Sequence, residues 1–296
     1  PAYAAALTAA SCVIGPLIPP SIPMVIYGVL ADASIGRLFL GGIIPGLMTG
    51  GALMIMIALT AKRKKMPAGE KMTMQESLIA TRRSLLPLFT PVIIIGGILI
   101  GVFSPTEASA IACVYALVLG LFYRELNVQR IWTELVATAR TTGTICLIVS
   151  AATVFAWLLT TMQVPQTTAK FLVQLTQNPL LLLLLINAVI FVAGFFIEGL
   201  AIMILVVPVL QPTFAAVGID PIHFGVVMVF NLMIGLMTPP MGVGLFVVSV
   251  VSGVRVETIS REVFALLAPL IVVLLLLIFF PALVTAIPDA VLGPRQ

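Results

Sequence analysis

Two short stretches hold the residue types that could do chemistry in this chain. They are Ile14-Gly15-Pro16-Leu17-Ile18-Pro19-Pro20-Ser21 and Ile234-Gly235-Leu236-Met237-Thr238-Pro239-Pro240, with Gly242 just beyond the second. Both lie in charge-free runs: the first charged side chain of the chain is Asp32, and none falls between Asp220 and Arg255 apart from the neutral imidazole of His223. Proline lacks a backbone donor and clashes with the preceding turn, so neither run can stay helical throughout, and carbonyls near the break lose their partners. In hydrocarbon such carbonyls persist only where protein, water or an ion satisfies them. Unwound carbonyls are hard oxygen dipoles that ligate a cation such as sodium without adding charge. Gly15, Pro19, Pro20 and Ser21 in the first break, and Gly235, Thr238, Pro239, Pro240 and Gly242 in the second, are therefore candidate ion- or substrate-binding positions. Backbone at Gly235, Thr238 and Pro239, and at Gly15 and Pro19, would hold the cation, and Ser21 and Thr238 add hydroxyl oxygens. The alternatives are a proline kink filled by neighbouring side chains and hydroxyls that bond a carbonyl of their own helix.

A third candidate is Gly194-Phe195-Phe196-Ile197-Glu198-Gly199, which separates two apolar arms within residues 178–218. Arms of about sixteen residues are shorter than the roughly twenty needed to span a bilayer, so the pattern predicts a re-entrant hairpin that enters and leaves on the outer side. Glu198 is open to two roles. An ionisable residue in apolar sequence is a functional suspect, and a carboxylate directly before an apolar helix is a cap. Gly194 and Gly199 allow a tight apex and close approach of a ligand. Elsewhere, Ser104 and Glu107 have capping-box spacing, and His223 suits turn packing better than a proton relay. Trp132 and Trp157 suit interfacial anchoring. Cys12, Cys113 and Cys146 are widely spaced in apolar sequence and read as inert packing residues instead of metal or redox groups. No nucleophile with its base, phosphate loop or Walker motif is present, so enzyme and ATPase functions have no support.

The elements that must position these residues follow from composition. Of 296 residues, 61% are hydrophobic and 9% charged, against about 25% charged in a soluble domain. The apolar runs are too long for barrel strands, so the fold class is an all-α polytopic membrane protein. The net charge of +4 comes from basic residues in loops and bears on orientation, not nucleic-acid binding. Lys62, Arg63, Lys64, Lys65, Lys71, Arg82 and Arg83 mark the segment 61–84 as a cytoplasmic connector. Spans are predicted from about Arg37 to Thr60, Leu85 to Phe103, Ala108 to Tyr123, Thr141 to Met162 and Val263 to Val284.

A constant offset of 220 aligns Pro1, Ile14, Gly15, Pro19 and Pro20 with Pro221, Ile234, Gly235, Pro239 and Pro240, around the only two Pro-Pro pairs in the chain. The match reads as an internal repeat. One more crossing separates the first broken span from the KRKK loop, whereas VRVETISRE directly follows the second, so the two cross in opposite directions. Inverted repeats with paired discontinuous helices mark secondary transporters with sites near the midplane. The expected organisation is the end of a first repeat at 1–60, the connector, a second repeat at 85–285 with its hairpin at about 178–218 and broken helix at about 221–253, and a periplasmic tail at 286–296. On this reading about 130 residues with another hairpin would precede Pro1 in a complete repeat.

The motifs Gly15-Pro16-Leu17-Ile18-Pro19-Pro20-Ser21, Ser104-Pro105-Thr106-Glu107-Ala108, Gly218-Ile219-Asp220-Pro221-Ile222-His223-Phe224-Gly225 and Ile234-Gly235-Leu236-Met237-Thr238-Pro239-Pro240 together resemble the large membrane subunit of the tripartite ATP-independent periplasmic (TRAP) transporters, of the DctM or SiaM type. The resemblance implies an elevator-type, sodium-driven importer of a small organic anion in the bacterial inner membrane. It also implies a small Q-type membrane subunit and a P-type periplasmic substrate-binding protein as partners, with lipid around the chain and no nucleic acid. A stand-alone sodium/anion symporter and an uncoupled channel or structural subunit are the alternatives.

Overall fold

A computed structural model describes residues 2–61, 73–240 and 242–294, and helices are the regular secondary structure among them. The basic cluster from Lys62 to Lys71 lies outside the described residues. The helices are α1 (Ala2–Cys12), α2 (Ile22–Leu30), α3 (Ile35–Ala61), α4 (Met74–Leu99), α5 (Pro105–Phe122), α6 (Val128–Thr161), α7 (Val164–Leu175), α8 (Pro179–Ala193), α9 (Gly199–Val217), α10 (Pro221–Leu236), α11 (Val243–Ser252), α12 (Val256–Phe279) and α13 (Ala282–Leu292). Among the described residues, α3, α5, α6, α9 and α12 are long and apolar enough to cross a membrane, and α4, bent by 44°, makes a sixth. Both halves of each broken helix are shorter than a span.

Local chemistry sets most of the boundaries. Ser21, Thr73, Ser104, Asn178, Glu198 and Asp220 each cap the helix that follows by accepting a bond from an otherwise orphaned backbone N–H. Ser104 and Glu107 form the expected reciprocal box, with the Ser104 N–H donating to Glu107 Oε2 at 2.8 Å and the Glu107 N–H donating to Ser104 Oγ at 3.3 Å. Gly218 ends α9 with φ +74°, a left-handed turn open to glycine.

The chain forms two compact units, Pro1–Thr60 with Ala151–Gln296, and Ala61–Ser150. In the second, α4 and α5 pack on each other, and Tyr115 Oη donates to the Leu86 carbonyl at 2.9 Å. In the first, α10 is the core. Every residue from Ile222 to Gly235 is buried, as expected for a helix apolar on all faces. It contacts α2, α8, α9, α12 and α13, while α1 packs on α11 and α12, and α7 lies along α9. His223 ties α10 to α12, with Nε2 2.8 Å from the Leu277 carbonyl. The two broken helices thus pair crosswise: the half before the first break meets the half after the second, and α2 meets α10.

Several particulars depart from the sequence expectations: α4 begins at Met74, inside the segment expected as a connector, α6 begins at Val128 instead of near Thr141, and α7 is not among the expected elements. The second hairpin arm, α9, has 19 residues and is long enough to span alone, because Pro208 and Pro212 are accommodated within the helix. The last span ends at Phe279, and α13 extends into the stretch expected as a tail. Arg37 holds that helix: Nη1 lies 3.1 Å from Asp289 Oδ1, and Nη2 donates to the carbonyls of Leu292 (3.2 Å) and Gly293 (2.8 Å). Finally, Cys12, Cys113 and Cys146 are exposed instead of packed between helices, because an apolar run alone does not reveal which face meets protein.

Candidate ion-binding site

The second break is built from the end of α10. The Met237 N–H donates to the Ile234 carbonyl at 3.1 Å and the Thr238 N–H to the Gly235 carbonyl at 3.0 Å, which tightens the last turn before the helix stops. The chain restarts at Gly242, whose φ is +35°. A Cβ there would lie 3.1 Å from the Thr238 carbonyl oxygen and 2.9 Å from the Leu245 side chain, so glycine is required twice over, by backbone and by space. Thr238 and Gly242 are buried, Pro239 is half-buried and Pro240 exposed. Thr238 Oγ1 donates to the Ile234 carbonyl at 2.7 Å, the bond within its own helix that sequence reasoning had left open. Its proton is committed there, while oxygen lone pairs remain to accept.

The hairpin tip sits on this break. Gly194 and Gly235 face each other backbone to backbone, and a Cβ added at Gly235 would lie 3.1 Å from Gly194 Cα. Gly199 packs against Leu232, one turn earlier on α10, where an added Cβ would lie 3.3 Å from the Leu232 Cβ. Both tip glycines are buried. Glu198 is exposed and accepts from the Ala201 N–H at 3.0 Å, which makes it the N-cap of α9. The carbonyl end of α10 and the N–H ends of α9 and α11 therefore meet in one region. The former is the negative pole of a helix and suits a cation, and the latter are positive poles that suit an anion.

The first break is seated differently. The Leu17 and Ile18 N–H groups both donate to the Ile14 carbonyl at 3.0 Å, and Ser21 Oγ accepts from the Met24 N–H at 3.3 Å to begin α2. Pro19 and Ser21 are buried, whereas Gly15 and Pro20 are exposed. The segment lies against α3 over Gly42 and Gly46, where a Cβ would strike the Leu17 carbonyl and the Ile18 side chain. The Pro19-Pro20 and Pro239-Pro240 peptides are both cis. The structure thus brings Gly194 and Gly199 together with the Gly235 to Gly242 break, and places Gly15 to Ser21 on α3.

Sequence reasoning missed two features. Gly42, Gly46 and Gly50 recur every four residues, a close-packing signal that was legible in the sequence. Asn187 and Asn231 are buried to 3% and 0% exposure in the α8–α10 contact, and neither belongs to a motif. Among the described residues no three His, Cys, Asp or Glu side chains cluster, so a cation at the break would meet carbonyl and hydroxyl oxygens.

Residues 1–283 match the family described as the tripartite ATP-independent periplasmic transporter, DctM component. The chain is 47% identical over 295 residues to the sialic acid TRAP transporter large permease protein SiaM of Vibrio cholerae, covering 99% of this chain and 69% of that protein. It is 40% identical to the sialic acid TRAP transporter permease protein SiaT of Haemophilus influenzae, covering 96% of this chain and 46% of that one. The C4-dicarboxylate TRAP transporter large permease protein DctM of Pseudomonas aeruginosa is 39% identical, with 97% of this chain and 68% of that protein aligned.

Proposed function

The chain belongs to the DctM component family of the tripartite ATP-independent periplasmic transporters, an integral membrane family, and from that premise we propose that it is the transport part of a sodium-coupled importer of a small organic acid anion. The anion is delivered by a periplasmic substrate-binding protein, and a small membrane subunit completes the assembly. The hairpin tip and the broken helices move as one body against the remaining spans, in an elevator-type cycle. What carries the reading is the glycine-to-glycine contact of Gly194 with Gly235. It sets a hairpin apex directly on an unwound segment, where carbonyls and helix N-termini of opposite polarity lie within one or two turns.

In this proposal the backbone at Gly235, Thr238 and Pro239 and the lone pairs of Thr238 Oγ1 hold sodium on the second break. Gly15 and Pro19, with Ser21, would do so on the first. The N–H end of α11, which no described side chain caps, attracts the carboxylate of the substrate. Relatives named for sialic acid and for C4-dicarboxylates support a substrate from the class of small organic acids.

The test is uptake into proteoliposomes holding the full-length permease and its small subunit, under an inward sodium gradient, with and without loaded binding protein. Uptake should require both. Uptake that ignores the binding protein would indicate a stand-alone symporter, and flux that ignores sodium would reject the coupled site.

A further inference from the structure

The α8–α10 contact contains a polar pair in otherwise apolar packing. Asn231 Nδ2 donates to the Asn187 carbonyl at 2.8 Å and to Asn187 Oδ1 at 2.9 Å, and Asn187 Nδ2 donates to the Leu183 carbonyl at 2.9 Å. Both amide orientations are dictated by the network, because each nitrogen faces a backbone carbonyl that can only accept. Among the described residues, the arrangement leaves Asn231 Oδ1 fully buried with no hydrogen-bond partner. A leucine pair would fill the same space with no orphaned oxygen, so stability alone gives no reason for two asparagines here. What they supply is direction: hydrogen bonds between helices fix one register, whereas apolar side chains in a membrane tolerate sliding.

Register matters at this contact. Gly194 lies two turns beyond Asn187 on the same face of α8, and Gly235 lies one turn beyond Asn231 on the same face of α10. A slip of one residue rotates the contact by about 100° and could bring Phe195 to the place of Gly194, where even a lone Cβ would lie 3.4 Å from Gly235 Cα, so a phenyl ring has no room. We propose that the Asn187–Asn231 pair is a positioning device that locks the hairpin arm in register on α10 and thereby holds the hairpin tip against the second break. The sodium consequence rests on the proposed function, but the geometric claim does not.

The experiment uses the full-length permease with Cys12, Cys113 and Cys146 replaced by serine and spin labels on cysteines at Phe196 and Phe246. Both positions are exposed, one on the tip and one on α11. The variants are Asn187→Leu with Asn231→Leu, and separately Asn231→Ser. The folded double variant should shift the mean label distance by about 3 Å or more, or broaden its distribution, because a slipped register displaces the tip by at least one residue. The half-saturating NaCl for thermal stabilisation, measured against KCl, should rise about tenfold, below the roughly hundredfold that a misplacement of about 1 Å can cost at a functional site. An unchanged distance distribution in the folded double variant would overturn the proposal. Should that variant not fold, Asn231→Ser decides by the same two measurements. A parent protein that NaCl does not stabilise would reject the sodium site while leaving the label distance to judge the pair.

Discussion

At the scale of single residues, the site is decided by atoms that are absent. Gly235 has a backbone, not a side chain, as its neighbour, so Gly235→Ala must displace the hairpin tip. The tip has to give by a few tenths of an ångström, so reconstituted uptake should fall about threefold or more, short of the roughly hundredfold that a misplacement of about 1 Å can cost. Gly51→Ala, on α3 with nothing within 4 Å of the added carbon, is the matched control and should be silent. Glu198 leads to the opposite expectation. Its carboxylate caps α9 from an exposed position, so Glu198→Gln, which keeps an acceptor oxygen, should leave the half-saturating sodium concentration of the parent unchanged. A large rise would return the carboxylate to the site. Caps, the Ser104–Glu107 box and the prolines were legible because each acts within four residues of itself. The committed proton of Thr238 was not, since a threonine can equally bond its own helix or a ligand.

At the scale of elements, α10 organises the larger unit because both of its ends are tied. Tyr27 Oη on α2 donates to the Pro221 carbonyl at 2.7 Å, and the ring lies over Gly225, where a Cβ would strike it. Gly225→Ala should therefore destabilise the protein by about 1–3 kcal/mol through overpacking. Part of that loss should return when Tyr27→Leu is added, as a double-mutant melting series in detergent would show. The α3–α13 tie works at the surface. The Arg37 side chain is 17% exposed and Asp289 43%, so the ion pair alone is screened, but the same guanidinium also binds two terminal carbonyls. Arg37→Ala should lower stability by about 1–2 kcal/mol and speed proteolysis beyond Pro281, leaving the sodium dependence of uptake intact. The sequence located the breaks and the spans, but it did not foresee α7, began α4 and α6 too late, and read the stretch beyond residue 285 as a tail. Whether α12 is followed by a loose tail or a docked helix depends on a partner some 250 residues away.

At the scale of the whole molecule, the comparisons and the composition agree on an integral membrane permease, and the larger compact unit contains both breaks and the hairpin. The two breaks repeat each other in sequence, yet they are partnered differently. The second meets the hairpin tip, and the first lies on the glycines of α3. Gly42→Ala should accordingly impair uptake as Gly235→Ala does, because it pushes directly on the Leu17 carbonyl of the first break. A Gly42→Ala permease with parental uptake and parental sodium dependence would remove the first break from the coupled site.

The sequence by itself determined the membrane class, the places where helices break and the residues that cap them. Those properties depend on hydropathy over a span, on a missing proline N–H and on side chains reaching the next turn, all of which are local. Only the tertiary structure decided which break receives the hairpin, that Gly194 and Gly235 touch, that Asn187 and Asn231 join α8 to α10, and that Arg37 holds α13. Each of those facts is a meeting of residues distant along the chain, and helix packing can bring them together without leaving any periodic signal at either end.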